Sequence, residues 1–173
     1  TALLYVVVPK GFFPLQDTGV LQAISEAPQT VSFGSMAQRQ RALARALLAD
    51  PEVESLSSFI GVDGANPTLN TGRMLINLKP HAQRGNLADA MARLQARAAE
   101  VEGIKLYLQP VQDLTIEDRV SRTQYQFTLE APGGAELSQW THRLVARLAE
   151  LPQLADVASD LQDEGLQAFV EID

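Results

Sequence analysis

Hydrophobic positions recur along this chain with two rhythms, every second residue in some stretches and every third or fourth in others, and the rhythms follow a definite order. Gly19–Ala27 alternates loosely and stops at Pro28, as a strand does. Ser32–Asp50 sets Met36, Leu43 and Leu47, with Ala44 and Leu48, along one flank of a helix and leaves Arg39, Arg41 and Arg45 to reach water; Ser35 is the expected N-cap and Pro51 the stop. Glu52–Val62 and Gly72–Lys79 return to strand character. Asn86 to Glu100 again reads as a helix, with Leu87, Met91, Leu94, Ala98 and Val101 on one side, Asn86 as cap, Asp89 at the reciprocal position and Gly103 closing it. Ile104–Gln109 alternates as a last strand before Pro110. The order strand, helix, strand, strand, helix, strand predicts an α+β fold of the ferredoxin-like, split βαβ kind, with both helices over one face of an antiparallel sheet.

A second unit opens at Thr123. Gln124–Glu130 puts Tyr125, Phe127 and Leu129 on one face of an expected strand; Ala135–Leu151 is a helix whose Leu137, Trp140, Leu144, Leu148 and Leu151 predict a buried stripe; Ala155–Asp160 and Ala168–Ile172 read as strands. Glu26-Ala27-Pro28 and Glu130-Ala131-Pro132 close the first strand of each unit, and a helix and a proline (Pro51, Pro152) follow in both. The repeat of about 103 residues is far too long for a solenoid and matches a duplicated ferredoxin-like plan. The second copy runs only β-α-β-β, so the expectation is that its closing helix and strand come from residues past Asp173 or from another chain. Pro110–Arg122 is a polar connector carrying Asp113, Glu117 and Asp118, read as a solvated acidic group.

Between the paired strand runs lies a loop holding Gly61, Gly64, Pro67, Asn70 and Gly72, much longer than the two to five residues a hairpin needs. Loops of that length are usually kept for binding or gating, and this one is the first candidate for function. Asp63, Asn66 and Asn70 miss the EF-hand spacing, and Gly61-Val-Asp-Gly64 is a G-x-x-G loop with an acid and no neighbouring base, a poor clamp for RNA.

Composition narrows the function further. The chain has 173 residues, no cysteine and a net charge of −7, with 46% hydrophobic and 20% charged residues. Residues 1–109 hold 10 basic and 9 acidic side chains and residues 110–173 hold 4 and 12, so the negative charge sits in the last third. Such a chain repels a phosphate backbone, which argues against nucleic acid as partner. No thiolate chemistry is possible, no P-loop or dinucleotide fingerprint is present, and His81 and His142 have no serine or acid at a motif spacing. No cofactor and no enzymatic centre are expected. Ala2–Val8 is apolar and halted by Pro9, Lys10 and Gly11; it reads as the end of a longer membrane helix or as a buried strand, since seven residues show too little periodicity to separate them.

Several stretches together resemble one family. Val8-Pro-Lys-Gly-Phe-Phe-Pro-Leu-Gln-Asp-Thr-Gly19, Asn70-Thr-Gly72 leading into Leu78-Lys79, and the duplicated plan are similar to the second periplasmic loop of the resistance-nodulation-division (RND) multidrug efflux transporters. Met36-Ala-Gln-Arg-Gln-Arg41, Phe59-Ile-Gly-Val-Asp-Gly64, Gln112-Asp-Leu-Thr-Ile116 and Ser121-Arg-Thr-Gln-Tyr-Gln-Phe127 resemble its MdtB/MdtC-type subgroup. The resemblance implies that residues 1–11 are the end of a transmembrane helix and its exit, 12–109 a first porter subdomain, 110–122 a connector and 123–173 the first part of a second porter subdomain in the periplasmic part of a bacterial inner-membrane pump. It implies a homo- or heterotrimer joined to a periplasmic adaptor and an outer-membrane channel, driven by proton exchange elsewhere in the protein. Amphipathic drugs or bile-salt-like compounds are the implied substrates. The drug-pocket positions are Gln22, Ile24, Ser57, Phe59, Val62, Gly64 and Leu75, and the switch loop is Gly61–Gly72 with Gly61, Asp63, Asn66, Pro67, Asn70 and Gly72, whose glycines would let it move. Where well-known members have several aromatic residues, the loop here offers Val62, Gly64, Ala65, Pro67 and Leu69, plus Asp63, which weakens stacking and makes the pocket more polar, so that either the substrates differ or this subunit is not the main drug binder. The residues by themselves also admit a free-standing pair of ferredoxin-like modules that bind a small ligand or regulate an enzyme.

Overall fold

The computed structural model describes residues 16–62, 68–112, 122–123, 125–154, 156–163 and 165. Ala2–Val8, the middle of the long loop, the acidic group of the connector and the expected strand at Ala168–Ile172 lie outside them.

Strand β1 (Val20–Glu26), helix α1 (Phe33–Leu48), strands β2 (Val53–Ile60) and β3 (Thr71–Leu78), a short 3₁₀ turn, helix α2 (Leu87–Ala99) and strand β4 (Lys105–Pro110) follow in the expected order. The strands form one four-stranded sheet in the order β2-β3-β1-β4, antiparallel at every neighbour, which is the ferredoxin-like arrangement. Both helices lie on one side. Leu21, Ala23, Met74, Ile76 and Leu108 from the sheet meet Met36, Leu43 and Leu47 of α1 and Ala90, Leu94 and Ala98 of α2 in a single core.

The caps follow side-chain chemistry. Helix α1 starts where the expected Ser32–Asp50 range begins, but Ser32 and not Ser35 is its N-cap: the Ser32 hydroxyl accepts the Ser35 N–H at 3.3 Å. Asn86 caps α2 as expected, accepting the Asp89 N–H at 2.8 Å. Gly103 leaves α2 at φ +74°, and Arg39 of α1 donates to its carbonyl at 2.6 Å, tying one helix to the end of the other.

The second unit departs from its expected plan. Helix α3 (Gly134–Ala149) forms where the pattern places it, but residues 125–130 and 156–160 are not strands. A strand exists only by pairing, and alternation within Tyr125, Phe127 and Leu129 supplies no partner ladder; Tyr125 and Phe127 are 85% and 82% exposed. The Trp140 stripe is also not a core, since α3 has no buried residue and Trp140 stands half exposed.

Candidate functional site

Because both helices cover one face of the sheet, the opposite face is left for something else. Residues opposite one another in an antiparallel pair share a face, so the register alone says what lines it. Gln22 pairs with Leu75 and Leu75 with Ser57; Ile24 pairs with Arg73 and Arg73 with Phe59. Two adjacent rows therefore cross the sheet on the helix-free side, and β4 extends them through Gln109, opposite Gln22, and Tyr107, opposite Ile24. Five of the seven pocket positions implied by the sequence, Gln22, Ile24, Ser57, Phe59 and Leu75, stand on this one face. Val62 follows the end of β2 and is exposed, while Gly64 lies outside the described residues, as do Asp63, Asn66 and Pro67 of the loop.

Apolar and polar side chains are interleaved on this face, with Phe59 and Leu75 on β2 and β3 beside Ser55, Ser57, Arg73 and Asn77. Phe59 is 62% and Leu75 41% exposed, too much hydrocarbon in water for a residue pair with a purely structural task in the core. Ser55, Ser57, Asn77, Gln22 and Gln109 add hydroxyl and amide groups, with Asn77 donating to Ser55 at 2.8 Å. The Gln109 side-chain nitrogen is buried without a hydrogen-bond partner among the described residues. Toward the far edge the face closes: Tyr107 is only 7% exposed, and burial first, then the nearby Glu26 carboxylate, raises its phenol above the ordinary range.

The two described glycines of the long loop have different tasks. Gly61 takes φ +106° where the chain leaves β2, a conformation other residues rarely adopt. Gly72 has no such φ; a Cβ there would meet Ser25 Oγ at 2.7 Å, Gln40 Nε2 at 2.9 Å and Ile60 Cγ2 at 3.0 Å, so it is a packing position on the helix-facing side. Asn70 is also held by contact. It is 4% exposed, donates to the Ala27 carbonyl at 2.9 Å and through its own carbonyl accepts the Ala27 N–H at 2.9 Å, which anchors the loop's end to the end of β1.

Beneath the sheet, Ser25 donates to Gln40 at 2.6 Å and Gln40 to Ser58 at 2.9 Å, a buried polar bridge holding α1 to β1 and to the edge strand. Outside it, Phe33, Ala37, Arg41, Ala44 and Ile60 border a groove of ≈ 360 Å³ between α1 and β2. Near α3, Ser138 and His142 both bond the Asp163 carboxylate, His142 at 3.1 Å. Sequence spacing did not bring these three together, but the serine gives its proton to the acid and not to the imidazole, so no activated nucleophile results. Among the described residues no group of three or more His, Cys, Asp or Glu side chains could hold a metal ion, and no helix is long and apolar enough to cross a membrane.

The sequence missed Arg73, Tyr107 and Gln109 as members of the face, although period two in β3 and β4 carries the signal once the register is known. It also missed Arg122, whose guanidinium pairs with Glu26 at 3.2 Å, because nothing local marks a connector arginine.

Two crystal forms of a heavy metal efflux pump share this fold: each superposes with a TM-score of 0.54 at 18% identity over 62% of this chain and 12% of that one. This chain thus spans a small part of such a pump. The sequence matches the AcrB/AcrD/AcrF family across residues 1–173, and the chain belongs to that family, the RND transporters.

Proposed function

We propose that this chain is a periplasmic porter segment of a proton-driven RND efflux pump, and that the helix-free face of its sheet contacts amphipathic substrates on their way to an outer-membrane channel. The observation that carries the reading is the pair of cross-strand rows that puts exposed Phe59 and Leu75 beside Gln22, Ile24 and Ser57. Hydrocarbon flanked by amides and hydroxyls suits organic amphiphiles, which bury an apolar body while a polar group finds partners. The side chains on this face are the amides of Gln22, Asn77 and Gln109, the hydroxyls of Ser55, Ser57 and Tyr107, the Arg73 guanidinium and hydrocarbon, with the Glu26 carboxylate paired to Arg122; with neither thioether nor imidazole among them, drugs and bile-salt-like compounds suit the face better than the metal cargo named for the structural neighbours.

Within the same proposal, 1–11 ends a membrane helix, 12–109 is the first porter subdomain, 110–122 the connector and 123–173 the start of the second. Trp140, half exposed on the stripe of α3 that also holds partly buried Leu137 and Leu144, supports a larger assembly around it, a trimer of like or paired MdtB/MdtC-type subunits with its adaptor, this one on the MdtB side. The test is transport by the whole pump carrying Phe59→Ala with Leu75→Ala. Efflux and substrate affinity should fall while expression and trimer assembly hold; unchanged efflux across chemically different substrates would remove this face from the path.

A further inference from the structure

Among the described residues, polar contacts join the sheet and its helices to the second unit at the end of β1, just past it and on α2. Arg122 pairs its Nη2 with Glu26 Oε1 at 3.2 Å and donates from Nη1 to the Ser159 carbonyl at 2.9 Å. Gln29, just past β1, donates to the Leu161 carbonyl at 3.2 Å, and Gln95 of α2 donates to Asp156 at 3.3 Å. Arg122 touches both sides at once. Its side chain is 18% exposed and that of Glu26 20%, so the pair is shielded enough for a fixed fork geometry to matter and wet enough to open without a large desolvation penalty.

Its place relative to the helix-free face gives this contact a consequence. Glu26 ends the β1 row that contains Gln22 and Ile24 and faces the same way; Tyr107, buried on that face, has Glu26, Arg122 and Asp156 as its charged neighbours. The face is therefore covered on its β4 side, where Tyr107 has Arg122 as a neighbour, and open on its β2–β3 side, where Phe59 and Leu75 stand.

We infer that Arg122 is a positioning residue: by clamping Glu26 at the end of β1 to the 156–161 segment, it fixes how far the second unit covers the face and so the size of amphiphile the face accepts. This rests on the reading of the face as a substrate surface.

The test uses the full-length pump with Arg122→Ala, Arg122→Lys, Arg122→Glu and the exchange Arg122→Glu with Glu26→Arg. Hydrogen exchange without substrate reads the clamp, and transport of bile salts and dyes graded by size reads its effect. Arg122→Ala should speed exchange at 156–161 by about tenfold or more, as loss of a charge-assisted contact does, while β1–β3 stay protected. The ratio of large-substrate to small-substrate transport should rise. Lysine, which keeps the charge but not the fork, should fall between, and the double exchange, which restores the ion pair but offers the Ser159 carbonyl no donor at position 122, should improve both readouts over Arg122→Glu without reaching the native values. Unchanged exchange in Arg122→Ala, or a double exchange no better than Arg122→Glu alone, overturns the inference. A faster exchange with an unaltered size ratio overturns it too: if Phe59→Ala with Leu75→Ala impairs transport in the same assay the fault lies with the clamp, and if it does not, with the face as substrate surface.

Discussion

Gly72 shows how much of the long loop's end is fixed by contact and not freed by glycine. Its hydrogen faces Ser25, Gln40 and Ile60, and a methyl group would meet all three at 3.0 Å or less. Gly72→Ala should destabilise the sheet by about 1–3 kcal/mol, read as lost hydrogen-exchange protection in β1–β3 of the pump. Asp50 makes a different residue-scale statement. Burial pushes its carboxyl up, but the Glu52 N–H at 3.0 Å and the guanidinium groups of Arg93 and Arg97 outweigh burial and hold it below the usual range. A carboxyl lowered in the folded state adds stability that is complete above the unfolded value of about 3.9 and is lost as pH falls through the folded value. Asp17, lowered by its bond to Arg84, acts in the same direction. Protection of α1 and α2, corrected for intrinsic exchange, should stay flat from neutral pH down to about 5 and fall below about 4. Asp50→Asn should lower the plateau by about 1–3 kcal/mol and flatten the acid slope; an equally steep slope in the variant would assign it to other carboxyls.

Among the strands, the edge strand β2 buries the fewest residues and carries two of the proposed substrate positions, Ser57 and Phe59. Its burial alternates poorly because Glu54, Ser55, Ser57, Ser58 and Phe59 are all exposed, and a register shift falls between Val53 and Ser55. The Gln40 bridge compensates from below. Gln40→Ala should leave Ser25 and Ser58 without their shared partner and loosen β2 ahead of β1 and β4, a difference visible strand by strand in exchange; uniform loosening would mean that the bridge serves the whole core. The same strand marks the limit of what the chain's pattern conveys. The Leu94 and Leu43 stripes were readable because a helix repeats one face and the core covers it. VESLSSFI has polar residues on both faces, so the resemblance and not the rhythm nominated Ser57 and Phe59, and only the register with Leu75 and Arg73 puts them on the helix-free side. Spacing in α3 states which side chains share a flank, not that anything lies over them, which is why Trp140 was expected inside and stands half exposed. The segments 125–130 and 156–160 were misread for a related reason: alternation is local, and pairing is not.

At the scale of the whole molecule, the described residues give one sheet with a helix-covered face that holds the core and an opposite face, open at Phe59 and Leu75 and closed at Tyr107, that is the proposed substrate surface. That division is most directly tested by cysteine labelling in the full-length pump, at Leu75 on the bare face and at Ser58 on the other side of the neighbouring strand, with and without a transported bile salt or dye. The account predicts that substrate protects a cysteine at Leu75 at least several-fold and leaves one at Ser58 unaffected. Protection at neither site, or protection at Ser58 alone, would contradict it and move the substrate path to another surface of the pump.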